Sequence, residues 1–295
     1  MALDLLSMVD MPTDAWCKKY IYDGNYLPVT DPLWGIRSST ASGLTVRQVV
    51  AMRAGEPYIT LWPWHWRLIL AQLPRIGASE IEFTTSESLR REIWLLATRN
   101  RYPAHSLAHI VIWLEDMPYG RQLRHAIFQS RLPKSIFDIS ADHPLNLMPP
   151  SRLSVVNETA GSWADSTVEA LATSRAKSQQ YDGACLTLPN GNLARTTLGN
   201  IFFFLPGGRV IGSCRGTRPD ALCQFVQDKN LFAHFNFKYE EVEGFSQPII
   251  TDAVECFICD ATIGLQPVMS LGTTKRFRRT ASSVMAEELR RLVTL

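Results

Sequence analysis

Residues 186–205 read LTLPNGNLARTTLGNIFFFL, and their reading decides the fold. Pro189-Asn190-Gly191 stands between two apolar alternating runs, and Asn-Gly at a two-residue loop is the strongest short-range hairpin signal. Two strands are therefore expected to meet there, Ala184–Leu188 before the turn and Asn200-Ile201-Phe202-Phe203 after it. Pro206-Gly207-Gly208 is a second turn, and Val210-Ile211 a third strand that completes a meander.

Upstream, Ser166-Thr167-Val168-Glu169 has the form of a capping box, opening a helix with Val168, Leu171, Ala172 and Ala176 turned inward. Downstream, Pro219–Asp228 reads as a helix with Pro in its first turn, and Phe235, Phe237 and Tyr239 alternate as on a strand. Val254–Cys259 leads into Ala261–Val268. The closing helix carries Val284, Met285, Leu289 and Leu292 on its apolar face. The basic run Lys275–Arg279 reads as a solvated loop or an anion site.

The first half offers Tyr20–Tyr22 before a turn at Asp23-Gly24, then Gly43–Val50 and Tyr58–Leu61 as two strands. A helix follows from Trp64, with Trp66, Ile69, Leu70 and Leu73 on one face. Trp62, Trp64 and Trp66 give it an aromatic entry, for packing or for stacking on a ligand. Ser86–Thr98 is a second amphipathic helix, and Leu107–Leu114 an apolar strand in which His109 reads as a core histidine. Ile136–Ile139 has the look of a short strand. The Pro-rich passage His143–Pro150 breaks regular structure and marks a linker, giving an N-terminal unit over 1–145 and a C-terminal unit over 146–295.

A chain of 295 residues with 46% hydrophobic content can bury a large core. Its formal net charge of +2 is too mild for a nucleic-acid footprint, and no apolar run reaches the roughly 18 residues of a membrane span. The opening MALDLLSMVDMPTD carries acids where a signal peptide needs a basic flank, so a cytoplasmic protein is expected. The 6 cysteines are too dispersed for a disulfide framework. Cys256-Phe257-Ile258-Cys259 has metal or redox spacing, but it lies in an apolar run with no second pair to complete a site. It reads as core thiols, and no metal is expected.

Asn200-Ile201-Phe202-Phe203, Arg67-Leu68 and the segment Gly264–Val268 resemble the class IV aminotransferases, the fold type IV pyridoxal 5'-phosphate enzymes. That group includes branched-chain and D-amino acid aminotransferases and aminodeoxychorismate lyase. The resemblance implies an α+β (α/β) chain of two domains, a smaller N-terminal one and a larger one built on a β-barrel-like core, assembled as a homodimer.

At several positions the sequence departs from that family's pattern. Counting back from Ala176, the Schiff-base lysine falls at Ser162, and no lysine lies between Lys134 and Lys177. Arg195 stands where a glutamate serves the pyridine nitrogen; a guanidinium cannot accept that proton. Trp64 replaces a histidine ahead of Arg67, and Asp260-Ala261 replaces the Gly-Thr of a phosphate loop, leaving Thr262 one position late. Arg215-Gly216-Thr217-Arg218 lies one residue out of a second phosphate motif.

The expectation is therefore an enzyme working without a cofactor on a small carboxylated metabolite, by elimination, cyclisation or hydrolysis, in secondary metabolism. Ser162, Arg195 and Asp260 are its catalytic candidates; Arg67, Arg215, Thr217, Thr262 and Asn200 are its substrate or anion contacts. The alternatives are a genuine pyridoxal phosphate-dependent aminotransferase or lyase, and a noncatalytic metabolite-binding protein.

Overall fold

The computed structural model describes residues 19–28, 45–52, 59–79, 83–101, 106–131, 144–151, 154–156 and 163–294. The chain divides into two compact units, Met1–Ser135 and Ile136–Leu295. Ser162 and the expected strand Ile136–Ile139 lie outside the described residues.

The first unit is an antiparallel sheet with helices against it. Strands β1 (Lys19–Tyr22), β2 (Asn25–Pro28), β3 (Thr45–Met52), β4 (Ser106–Met117) and β5 (Gly120–Arg131) lie in the order β2-β1-β5-β4-β3. Helices α1 (Trp62–Gln72) and α2 (Ser86–Arg99) follow the expected boundaries within a few residues. Their apolar faces meet the sheet in a core containing Val50, Ile69, Leu73, Leu89, Ile93, Leu96, Ile110 and Ile127. Of the expected strand Tyr58–Leu61, Tyr58 lies outside the described residues, and residues 59–61 form only an isolated bridge from Ile59 to Met52. Trp62 Nε1 donates to Ser86 Oγ at 2.9 Å and Trp66 stacks on Phe83 with centroids 5.9 Å apart, so this part of the aromatic entry is packing.

The second unit is a mixed sheet that curls into a half-barrel. Its strands are β6 (Leu145–Met148), β7 (Gly183–Thr187), β8 (Leu193–Thr196), β9 (Asn200–Leu205), β10 (Arg209–Ser213), β11 (Lys238–Val242), β12 (Glu255–Asp260), β13 (Gly264–Leu271) and β14 (Lys275–Arg276). Their order is β11-β10-β9-β12-β13-β6-β7-β8, with β14 on β13. Helices α3 (Trp163–Ser178), α4 (Ala221–Asp228), α5 (Leu231–His234), α6 (Gln247–Asp252) and α7 (Thr280–Thr294) complete the unit.

Strand β9 is paired on both edges, to β10 and β12, and buries its residues on both faces. Phe203 packs against Phe245 at 4.8 Å, while Phe202 and Phe204 lie on Phe257 at 5.0 and 5.3 Å on the opposite face. Each such ring contributes about 2–3 kcal/mol by removal from water.

Some expectations are corrected. The hairpin at Asn190-Gly191 forms, but residues 188–192 make a longer loop, because Asn190 Oδ1 accepts from Asn192 N and the pairing shifts between Leu186 and Thr187. The Pro-flanked run 145–148 is strand β6, paired in parallel with β13 and β7, since its prolines lie outside the run and cost no ladder bond. Helix α3 starts at Trp163, so Glu169 sits inside it and is no capping residue. Leu171, off the 168-172-176 stripe, is exposed, as is Val284 on α7.

His109 is the core histidine expected, its Nε2 2.8 Å from Ser130 Oγ, and His65 Nδ1 meets Gln48 Oε1 at 3.2 Å. Burial lowers their pKa to about 4 and about 3. The unfolded chain binds these protons below pH about 6.5 and the folded chain does not. Stability is therefore full above that pH and falls on acidification toward pH 4, by about 1.4 kcal/mol per unit for each histidine. Denaturant titrations at stepped pH should show this slope, and His109→Gln should remove about half of it.

Candidate active site

The polar core of the second unit is built where α3, β8, the start of β9, the turn before α4 and the end of β12 converge. Arg195 on β8 is buried, and its Nη1 donates to Glu169 Oε1 on α3 at 2.6 Å. Arg218, in the turn before α4, donates from Nη2 to the other oxygen, Glu169 Oε2, at 2.8 Å. Its Nη1 lies 3.9 Å from Asp260 Oδ2 at the end of β12. One carboxylate is thus shared by two guanidiniums, and a second flanks the outer one. The carboxylates hold the Arg218 guanidinium firmly protonated, chiefly through Glu169.

Asn200, the first residue of β9, is buried and grips the same turn. Its Nδ2 donates to Arg218 O at 2.7 Å and its Oδ1 accepts from Arg218 N at 2.9 Å. Asp220 caps α4 by accepting from Cys223 N at 2.8 Å, and its second oxygen accepts from Ala261 N at 2.7 Å. Burial, reinforced by the nearby Asp260 charge, pushes the Asp220 carboxyl up to about 7. Asp260 itself accepts from Thr262 N at 2.8 Å and from the Thr262 hydroxyl. The two acids therefore occupy the amides of residues 261 and 262. Gly199 lets strand and loop touch: a Cβ there would lie 2.7 Å from Asp260 Cβ and 2.9 Å from Cys259 O.

Of the residues expected from sequence, Arg195, Asn200, Asp260 and Thr262 belong to this cluster, and Thr217 precedes Arg218 half-buried. Arg215 does not join it; its Nη2 donates to Glu243 at 2.9 Å in an exposed pair. Arg67 lies in the first unit, exposed on α1, its Cζ 5.7 Å from the Trp64 ring centroid. Sequence reasoning missed Arg218 and Glu169. The Arg218 signal was present in Arg215-Gly216-Thr217-Arg218, while that of Glu169 was disguised by its capping-box spacing.

No family model and no curated relative matches this sequence. Solved structures match it in fold. A branched-chain amino acid aminotransferase from Thermobaculum terrenum in its PLP form superposes with a TM-score of 0.74 at 17% identity, over 95% of this chain and 94% of that one. The chain has the fold of the class IV aminotransferases. A branched-chain aminotransferase from Thermoproteus uzoniensis, solved with norvaline, gives 0.72 at 16% identity over 94% and 95%. A further branched-chain amino acid aminotransferase, solved with pyridoxamine 5'-phosphate, gives 0.70 at 15% over 94% and 93%.

This finding corrects the expectation of a cofactor-free enzyme. The fold type IV scaffold extends along nearly the whole chain, and the neighbours that share it include PLP and pyridoxamine phosphate forms. The departures at single positions, from which that expectation came, concern covalent attachment, ring protonation and phosphate contacts and leave the scaffold intact.

The Arg195–Glu169 pair is buried while Arg215–Glu243 is not, and their contributions should differ. Glu169→Ala strands a buried guanidinium and should destabilise by about 3 kcal/mol in urea melts. Arg215→Ala should change stability by less than about 0.5 kcal/mol.

Proposed function

We propose that this chain is a fold type IV enzyme of the aminotransferase or aminodeoxychorismate lyase-like kind, acting on a small carboxylated substrate. Its cofactor is pyridoxal or pyridoxamine 5'-phosphate, held without a covalent bond to lysine. The fold shared with PLP-form aminotransferases over 95% of the chain carries this reading. A homodimer is part of the proposal, by analogy with the fold.

The anionic end of such a cofactor would be met by two guanidiniums that now pair with Glu169 and Asp260, so an entering phosphate competes with those carboxylates. Guanidinium forks suit phosphate and carboxylate, and Arg195 and Arg218 stand together with the hydroxyls of Thr217 and Thr262 nearby. This donor set does not fit an aldehyde anchor. Among the described lysines of the second unit, Lys177, Lys229 and Lys238 are exposed, and Lys275 Nζ donates to Thr251 O at 2.6 Å. Pyridoxamine phosphate carries its own amine and needs none from the protein.

When bound, the cofactor supplies an electron sink for bond cleavage beside an amine. Arg195, fixed by Glu169, would offer such a group N–H donors and no base for a ring proton. Asn200 holds the Arg218 turn in place, and Asp260 orients the Thr262 hydroxyl as the nearest acid–base pair to Arg218. Ser162 stays a candidate hydrogen-bond donor, and Arg67 a candidate anion contact, on the resemblance alone.

The protein mixed with pyridoxal or pyridoxamine 5'-phosphate and desalted should retain the cofactor chromophore. Denaturation should release it, and borohydride treatment before denaturation should leave the protein mass unchanged. Arg218→Ala should weaken retention about tenfold, the loss of one charge-assisted contact. A protein that retains neither form overturns the reading, and a borohydride-fixed adduct overturns its noncovalent part.

A further inference from the structure

The cysteines of Cys256-Phe257-Ile258-Cys259 do not act as a pair. Three residues apart on β12, they point to opposite faces of the strand. Cys256 sits in the core with Cys185, and Cys259 turns toward α4. There the Sγ atoms of Cys259 and Cys223 and a carboxylate oxygen of Asp220 lie within 4.8 Å of one another. We propose that Asp220, Cys223 and Cys259 form a binding site for a thiophilic divalent cation of the zinc class.

The ligand chemistry selects that class. Two thiolates with one carboxylate suit a borderline-soft tetrahedral ion and do not suit magnesium or calcium, which take oxygen ligands. Bonds of about 2.3 Å to sulfur and about 2.1 Å to oxygen set ligand atoms roughly 3.5–4 Å apart, so modest side-chain rotation closes the site. The site is built from packed elements: Asp220 caps α4, Cys223 lies in its first turn, and Asp220 also accepts from Ala261 N just past β12. The bonds that fix α4 on β12 therefore fix the three ligands.

A supporting shell is present as well. Asn200 Nδ2 lies 3.4 Å from Cys223 Sγ, a donor of the kind that steadies a metal-bound thiolate. The Cys259 carbonyl lies 3.7 Å from the same sulfur, and that carbonyl or water completes the fourth position. Binding a dication displaces the two thiol protons to solvent, together with any proton held by the Asp220 carboxyl. Because the cation needs no cofactor, the inference is separate from the proposed function and is tested in its absence.

The test uses the full chain, reduced and dialysed against chelator, with cobalt(II) as the probe. We expect about one equivalent to bind with a sulfur-to-cobalt charge-transfer band and tetrahedral d–d bands. Zinc should displace it and raise the Tm. Cys223→Ser and Cys259→Ser should each weaken binding at least about tenfold and reduce the charge-transfer band, while Cys256→Ser should leave both unchanged. Asp220→Asn keeps one acceptor for the helix cap and gives up the bond to Ala261 N, so it should lose affinity about tenfold, with circular dichroism checking that the fold is kept. Absence of the band in the wild type, its persistence in a Cys223→Ser/Cys259→Ser protein, or a Cys223–Cys259 disulfide formed under reductant in place of cobalt binding would overturn the proposal.

Discussion

The polar half of this molecule depends on one amide side chain. Asn200 opens β9, a strand of the half-barrel paired on both edges, and closes two hydrogen bonds on the backbone of Arg218. The turn over residues 215–219, polar or small throughout, has no apolar face with which to anchor itself. Pinned to a rigid strand at a single residue, it acquires a fixed position, and α4 starts from that position. Asp220, two residues on, then falls beside Ala261, and Arg218 faces Glu169. An aspartate at 200 would accept from Arg218 N but repel the carbonyl that the amide nitrogen now binds. A serine would reach only one of the two groups. The Asn requirement at the head of an apolar strand is thus structural before it is chemical.

The second constraint is charge. Taking Arg195 out of water costs several kcal/mol, and the attraction of one carboxylate at 2.6 Å offsets it only if the remaining polar atoms are also held. Glu169 is held on both oxygens because Arg218 takes the second. Arg218 in turn lies against Asp260, whose other oxygen carries the two Thr262 donors. The chain of partners runs from α3 through β8 and the α4 turn to the loop after β12. It joins four elements whose sequence separation reaches 91 residues from Glu169 to Asp260. Apolar packing alone would permit α3 to slide on its stripe; a shared carboxylate does not.

Much of the fold was readable because its signals are local. The phenylalanines of β9 announce a buried strand, and Asn190-Gly191 announces the β7–β8 hairpin, although the strand expected after that turn was β9 and the one that pairs is β8. What failed was whatever needed a partner remote in sequence. Ser166-x-x-Glu169 satisfies the capping-box spacing, and only the helix's true start at Trp163 shows that Glu169 reaches inward. The four residues of β6 are too few to show alternation, and the flanking prolines hid them. The CxxC spacing was misleading for a geometric reason: an interval of three puts two residues on one face of a helix but on opposite faces of a strand. The cofactor expectation failed differently. It inferred the absence of a ligand from departures at the lysine, ring-nitrogen and phosphate positions, although the architecture is written in packing.

Arg195 and Glu169 are best understood as one unit. A guanidinium at a buried strand position brings a positive charge that is not tolerated alone in a medium of low effective dielectric. Glu169, one helix away, returns one negative charge at hydrogen-bond distance and is itself sheltered at 20% side-chain exposure. The acid on α3 and the arginine on β8 therefore stand or fall together, because a change at either one leaves an uncompensated charge in the interior of the second unit.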